Sequence, residues 1–301
     1  MTRTFQGVVL VTVLLLPIAA YGVPIPKFHC TLNDAASVTA DNWGANTAGS
    51  VQGDPTWPAS NIPPGTVAEM QSSGASIADW GTTEVDNIFQ GQGGSDPWDK
   101  TQGITVDFYF SGFGDTGDEG MFSVGKRQGG DNFLIFVARD DEFRFNIRDE
   151  GGTGDLGGST HTILTDGVNL NPAIKYRLTF RQHLSLGNGG DAEIFLESVS
   201  DGGAQYPGGD TPIITWDLPA GNFDFPQFDG GNPDEELRMR IGDKWPHFGG
   251  SGFELREGDT VDNVRVFNGV HLPSEIGPLP EPSSLLLLAG ALPLLRRRRR
   301  A

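Results

Sequence analysis

Two glutamates of one predicted strand, Glu193 and Glu197, are the residues with the clearest potential for catalysis. Glycoside hydrolysis uses one protonated carboxyl and one carboxylate about 5 to 9.5 Å apart. Residues i and i+4 of a strand share a face, but their backbones lie about 13 Å apart at about 3.3 Å per residue. Because they alternate with Ala192, Ile194 and Leu196, they are equally well explained as the solvated face of a strand.

Acidic residues in glycine-rich loops are the second candidate chemistry. Asp115 and Asp118 lie in one such loop, and Asp140 and Asp141 lie in another. Hard carboxylate oxygens on flexible loops suit Ca²⁺, although neither loop has the spacing of an EF-hand. The pattern therefore leaves a calcium site and simple solvated loops as alternatives.

Aromatic side chains in predicted loops could stack on sugar rings. Trp245 is the strongest candidate because polar residues flank it, and Trp98 and Tyr206 are further candidates. The alternative is that these side chains fold back and cover the edge of the core.

Several other functions are not supported by the sequence. The five histidines lack the spacing of a transition-metal site, and there is no Gly-x-Ser-x-Gly motif or phosphate-binding glycine loop. The net charge of −18 repels nucleic-acid phosphates and anionic lipid head groups, so neither is an expected partner.

Alternation of apolar and polar residues predicts the elements that position these side chains. All even positions of residues 104–110 are apolar, a period of two that is typical of a half-buried strand. Similar or short apolar runs occur at 28–34, 121–125, 133–138, 143–148, 176–182, 192–197, 213–218, 237–241 and 261–267. Together they predict about ten antiparallel strands with one face on the core and one in water. Residues 44–100 show poor periodicity and receive no assignment.

The beginning of the chain has the composition of a secretory signal. Arg3 is followed by a short apolar run at 7–20, and small residues at 20 and 22 predict cleavage after Gly22. Cys30 is the only cysteine, so an exported product has no internal disulfide. We expect Cys30 to be a buried strand residue.

The end of the chain combines a short motif, an apolar run and a basic cluster. The motif is Pro280-Glu281-Pro282, and the apolar run occupies 285–295. The basic cluster consists of Arg296, Arg297, Arg298, Arg299 and Arg300. An apolar segment followed by arginines is typical of a membrane anchor with a cytoplasmic stop.

In order and spacing, this tail resembles the PEP-CTERM sorting signal of exported bacterial proteins. The resemblance implies processing by an exosortase-type membrane protease and an inner-membrane intermediate before release to the cell surface or extracellular matrix. One feature departs from a spanning helix: residues 283–295 number 13 and contain Pro293, whereas a span needs about 20.

A second resemblance covers residues 28–276. The segments 258–267 and 272–276 resemble the closing strand and tail of laminin-G-like, concanavalin A-like modules. The segments 176–182, 239–242 and 28–40 resemble their central, penultimate and opening strands. The resemblance implies an all-β jelly-roll sandwich of two antiparallel sheets.

The same resemblance bears on the two candidate chemistries. Some hydrolases of this fold carry Glu-x-Asp-x-Glu along one strand, but Phe195 occupies the position of the central aspartate here. Related sandwiches often hold Ca²⁺, which would suit the acidic loops.

The sequence thus predicts three segments: a signal peptide at 1–22, a β-sandwich at 23–276 and a sorting signal at 277–301. The expected function is a non-catalytic surface or matrix module that binds carbohydrate or another protein. Two alternatives stay open, a glycoside hydrolase using Glu193 and Glu197, and a matrix protein cross-linked by Ca²⁺. The expected further partners are the export machinery and the processing protease.

Overall fold

The computed structural model describes residues 24–39, 48–59, 68–74, 77–90, 102–113, 119–126, 132–138, 142–148, 160–165, 168–183, 185–186, 192–216, 221–222, 237–243 and 254–277. The predicted signal peptide and nearly all of the predicted sorting signal lie outside these residues.

The described elements are almost all strands. In chain order they are β1 (Phe28–Cys30), α1 (Ala35–Thr39), β2 (Ser50–Gln52), β3 (Met70–Gln71), β4 (Ile77–Trp80), α2 (Thr82–Gln90), β5 (Ile104–Ser111), β6 (Glu119–Lys126), β7 (Asn132–Ala138), β8 (Glu142–Arg148), β9 (Thr160–Thr165), β10 (Tyr176–Gln182), β11 (Ser185–Leu186), β12 (Ala192–Ser198), β13 (Ile214–Trp216), β14 (Gly221–Asn222), β15 (Leu237–Ile241), β16 (Thr260–Asn268) and α3 (Pro273–Ile276).

Two seven-stranded antiparallel sheets form the fold. The first sheet has the order β1-β16-β5-β10-β12-β13, with β3 also pairing with β16. The second sheet has the order β2-β4-β15-β6-β7-β8-β9, and β11 and β14 form a separate pair. The predicted all-β sandwich of antiparallel sheets is confirmed.

The core lies between the two sheets and is rich in aromatic residues. Phe28 of the first sheet meets Trp80 of the second edge to face, with ring centroids 5.0 Å apart. Phe110 and Phe143 make a second such contact between the sheets at 5.9 Å. Cys30 lies in β1 and is completely buried, as predicted.

The strand predictions from residue 104 onward agree with the structure. The predicted hairpin at 133–148 is β7 and β8, paired from Asn132 opposite Arg148 to Ala138 opposite Glu142. One part of the prediction is wrong. Both faces of β5 are buried up to its last residue, and β10, β12 and β16 are also buried on both faces with few exceptions. The face away from the core is therefore not in water at the centre of the first sheet.

Residues 77–90, which the sequence left unassigned, contain a helix. Val85, Ile88 and Phe89 of α2 are buried at the i, i+3, i+4 spacing of a helix that packs one face on a core. Nine residues are too few for that pattern to stand out from the surrounding loops. Among the described residues, no helix is long and apolar enough to cross a membrane.

Candidate functional site

The face of the first sheet that points away from the core, here called the outer face, carries the polar residues of three neighbouring strands. Asp107 of β5 lies opposite Thr179 of β10, and Glu197 of β12 lies opposite Arg177 of β10. Side chains alternate between the two faces of a strand, so these residues share the outer face while their neighbours enter the core.

A β-bulge in β16 brings a further arginine to this face. The pairing of β16 with β5 shifts between Asp262 and Arg265, where Asn263 adopts a left-handed backbone with φ of 51°. The extra residue lets both Val261 and Val264 enter the core. Arg265 consequently lies opposite Asp107 on the outer face.

Asp107 is the centre of a buried polar cluster, here called the Asp107 cluster, which also contains Arg177, Thr179 and Arg265. Arg177 Nε and Thr179 Oγ1 donate to Asp107 Oδ1 at 2.8 and 2.7 Å. Arg265 Nε donates to Asp107 Oδ2 at 3.0 Å. The carboxylate is fully buried, and donors from three side chains, two of them positively charged, compensate its loss of water.

The charges of this cluster determine its protonation. Burial alone would raise the pKa of Asp107, but Arg265 and Arg177 together with the Thr179 hydrogen bond lower that pKa below its ordinary value. Burial alone would lower the pKa of Arg177, but the Asp107 carboxylate raises the pKa of this guanidinium above its ordinary value. The cluster is therefore fully ionised at neutral pH and carries one excess positive charge.

The C-terminal segment, residues 271–277, covers this excess charge with backbone oxygens. Arg177 Nη2 donates to the Gly277 carbonyl at 3.0 Å, and Arg265 Nη2 donates to the same oxygen at 3.1 Å. Arg265 Nη1 also reaches the carbonyl of Ile276 at 3.4 Å. The segment packs over the outer face and explains why the polar strand positions there are buried.

A second contact fixes the same segment from the side. The Ser274 backbone N–H and hydroxyl donate to the two carboxylate oxygens of Asp210 at 3.0 and 2.6 Å. These hydrogen bonds lower the pKa of Asp210. The loop that follows β12 is thereby joined to α3.

Beside the C-terminal segment lies a shallow depression, here called the outer depression, whose cavity volume is about 10 Å³. Its lining residues are Arg177, Thr179, Phe195, Leu196, Glu197, Gly208, Gly209 and Pro273. Glu197 is half-buried and pairs through its backbone with Pro207. At Gly208, which has φ of 73°, a Cβ atom would lie 2.8 Å from Glu197 Cγ, so only glycine fits against this glutamate.

The structure places only one of the two candidate catalytic glutamates in this depression. Glu193 lies opposite Arg181 and forms an ion pair with it, and Glu193 is only 9% exposed. The Arg181 guanidinium also lies 5.1 Å from the ring centroid of Phe195, between the two glutamates. The carboxylate of Glu193 is therefore engaged in an ion pair with the neighbouring strand, whereas Glu197 borders the depression.

Tyr206, a predicted sugar-stacking residue, packs partly against the core. Its ring meets Tyr176 edge to face at 6.1 Å, and its hydroxyl accepts a hydrogen bond from the Asn169 backbone N–H at 3.2 Å. Its backbone carbonyl accepts from the N–H of Ser198 at 2.9 Å. These contacts hold the loop after β12, which contributes Gly208 to the outer depression.

The other predicted site residues lie outside the described residues. They are Trp98, Trp245, Asp115, Asp118, Asp140, Asp141, Pro280, Glu281, Pro282 and Arg296 to Arg300. Within the described ranges, no group of three or more His, Cys, Asp or Glu residues is arranged to hold a metal ion.

Sequence reasoning missed the Asp107 cluster. Arg177 and Arg265 were visible as polar positions within apolar strands, and that alternation was the only signal. Their meeting at Asp107 depends on the register of three strands and on the bulge after Asp262.

The chain matches no protein-family model and no curated protein. Among solved structures it is similar to domain 4 of AbnA, a GH43 extracellular arabinanase from Geobacillus stearothermophilus, with 10% identity, 84% of this chain and 97% of that chain covered, and a TM-score of 0.49. It is also similar to the ligand binding domain of botulinum neurotoxin serotype D, with 7% identity, 84% and 49% covered, and a TM-score of 0.46.

A third similar structure is the CBM40 of the Ruminococcus gnavus IT-sialidase, with 12% identity, 59% of this chain and 82% of that chain covered, and a TM-score of 0.39.

Proposed function

We propose that this chain is an exported cell-envelope protein whose β-sandwich is a non-catalytic module for binding carbohydrate or another surface protein. The observation that carries the proposal is the outer depression, with Glu197 at its border and walls held by the Asp107 cluster. Export rests on the predicted signal peptide, and delivery to the envelope rests on the predicted sorting signal. The export machinery and an exosortase-type protease are the proposed partners during delivery.

The construction of the depression favours recognition of a small part of a larger ligand. Arg177 and Thr179 are fixed by hydrogen bonds to Asp107, so this wall is preorganised. Its cavity volume of about 10 Å³ is far below the about 300 to 1,000 Å³ of sites that enclose a whole small molecule. A depression of this size can contact one hydroxyl group or one edge of a sugar unit, not enclose the whole unit.

The chemistry of the lining fits a neutral, hydroxyl-rich group. The Glu197 carboxylate can accept hydrogen bonds from hydroxyl groups. The overall charge of −18 disfavours polyanions and leaves neutral polysaccharides or basic protein surfaces as the ligand class. A single carboxylate at the depression supports binding over two-carboxylate hydrolysis.

A glycan array with the full chain tests the proposal. We expect retention on neutral glycans by the wild type, loss of retention in Glu197→Gln, and no release of reducing ends. Glu257→Gln is the matched control because Glu257 is exposed in the turn before β16 and lies outside the lining of the depression.

Three results would redirect the proposal. Equal retention by wild type and Glu197→Gln would remove the outer depression from it, and loss in Trp245→Ala would then favour the predicted tryptophan. Retention that disappears with a chelator would favour the calcium-dependent alternative. Release of reducing ends that stops in Glu193→Gln and Glu197→Gln would replace binding with hydrolysis.

A further inference from the structure

Glu69 and Lys175 form an ion pair that is almost completely enclosed. Their side chains are 5% and 1% exposed, respectively. Among the described residues, neither Lys175 Nζ nor Glu69 Oε2 has a hydrogen-bond partner outside this pair. Burying two opposite charges is favourable only when further hydrogen bonds satisfy them, so the charged form of this pair is costly.

The backbone holds the two side chains against each other. Glu69 directly precedes β3, and its N–H donates to the carbonyl of Pro58 at 3.0 Å. Lys175 directly precedes β10, where its N–H donates to Ser200 Oγ at 2.9 Å and its carbonyl accepts from Val199 N–H at 2.8 Å. In the first sheet, β16 and β5 lie between β3 and β10. The pair therefore connects the start of β3, at the side of the sheet, to the start of β10, with β16 and β5 between them.

The environment also increases the neutral, nucleophilic fraction of the lysine. Burial lowers the pKa of Lys175 to about 8, although the charge of Asp262 opposes this effect. Asp262 is fully buried and follows Val261, the partner of Met70 next to Glu69. A neutral amine is a nucleophile, whereas an ammonium is not.

We propose that Lys175 and Glu69 condense to form an intramolecular isopeptide bond. One proton first passes from the Lys175 ammonium to the Glu69 carboxylate, which leaves a neutral amine beside a neutral acid. Lys175 Nζ then attacks Glu69 Cδ, a C–N bond forms and the C–OH bond breaks. The hydroxyl takes a second proton from the nitrogen and leaves as water, so the reaction needs no oxidant or co-reactant.

The isopeptide bond removes the free-energy cost of burying the charges of Glu69 and Lys175. A neutral amide replaces two buried charges, and the exclusion of water from the site opposes hydrolysis. In a chain with one cysteine, this bond would be the covalent staple that a disulfide supplies elsewhere. It closes a loop of about 100 residues, for which the expected rise in melting temperature is on the order of 10 °C.

A tryptic peptide map of the denatured full chain tests the proposal directly. Lys27 and Lys100 bound the peptide that contains Glu69, and Arg148 precedes the one that ends at Lys175. We expect no cleavage after Lys175, because its amine is an amide. We also expect a branched species that joins peptide 28–100 to peptide 149–177 and is lighter than their sum by one water molecule.

Variants give a second measurement. Lys175→Arg keeps the charge but removes the nucleophilic amine, so the branched species disappears and the melting temperature falls by the amount given above. Glu69→Ala also loses the branched species, and Lys27→Arg is the matched lysine control, which keeps both the tryptic site after residue 27 and the branched species. Complete cleavage after Lys175 with an unmodified peptide 28–100 in the wild type would overturn the proposal and leave an ion pair only. The wild-type map decides even if the variants fail to fold.

Discussion

Arg265 Nη2 on β16 lies 3.1 Å from the carbonyl oxygen of Gly277, the last described residue of the chain. A buried guanidinium in the middle of the first sheet thus holds the C-terminal end of the sandwich. Because Arg177 shares the same oxygen at 3.0 Å, two strands hold this end rather than one. The segment that carries the predicted sorting signal therefore begins at a fixed point, and processing beyond Gly277 would leave these contacts intact.

Replacing Asp107 with asparagine tests the role of the Asp107 cluster in stability. The variant removes the buried carboxylate to which both arginines donate, and we expect the free energy of unfolding to fall by about 3 to 5 kcal/mol. Urea unfolding provides the measurement. Asp54→Asn, at an exposed position, should change it by less than about 0.5 kcal/mol. A similar small change in both variants would contradict the assigned role.

Acid should weaken the fold through the same carboxylate. The pKa of Asp107 in the folded protein is below the ordinary 3.8, so its contribution is complete above 3.8 and is lost as the pH falls through the lower folded value. The wild type should therefore show a steeper loss of unfolding free energy below about pH 4 than Asp107→Asn. The same pH slope in the two proteins would show that Asp107 does not titrate with unfolding.

The sequence predicted the sandwich because alternation is a local property of a strand. Phe108, Leu178 and Ile194 enter the core at the positions where the period of two places apolar residues. The sequence did not predict what covers the opposite face of the sheet. Gly277 contacts Arg177, about a hundred residues earlier in the chain, and Arg265, twelve residues earlier. Sequence spacing contains no information on such a contact.

The candidate site was only partly predictable for the same reason. Glu197 was identified from its strand, but the Gly208 that fits against it comes from a loop beyond the next turn. The pair of Glu69 and Lys175 was not visible at all. It depends on the position of β3 beside β16, in a region where the sequence showed no period.

Cys30 should be unreactive in the folded protein. Burial raises the pKa of its thiol to about 12, and the thiol donates to the carbonyl of Ser37 at 3.6 Å. A thiolate is the nucleophile in disulfide exchange, so an aromatic disulfide reagent at about pH 8 should label the native protein far more slowly than the urea-unfolded protein. Equal labelling rates in the two states would contradict the burial of Cys30.

Two neighbouring glycines with left-handed backbones allow crowding at Glu197 to be separated from backbone strain. Gly208 and Gly209 have φ of 73° and 85°, so alanine at either position should cost about 1 to 2 kcal/mol. Only at Gly208 would the new Cβ meet Glu197, 2.8 Å from its Cγ, whereas at Gly209 no atom lies within 4 Å. We therefore expect Gly208→Ala to lose about 1 kcal/mol more unfolding free energy than Gly209→Ala, and to lose retention on the glycan array. If the two variants unfold at the same urea concentration and bind equally, Glu197 is not held by the loop in the way described.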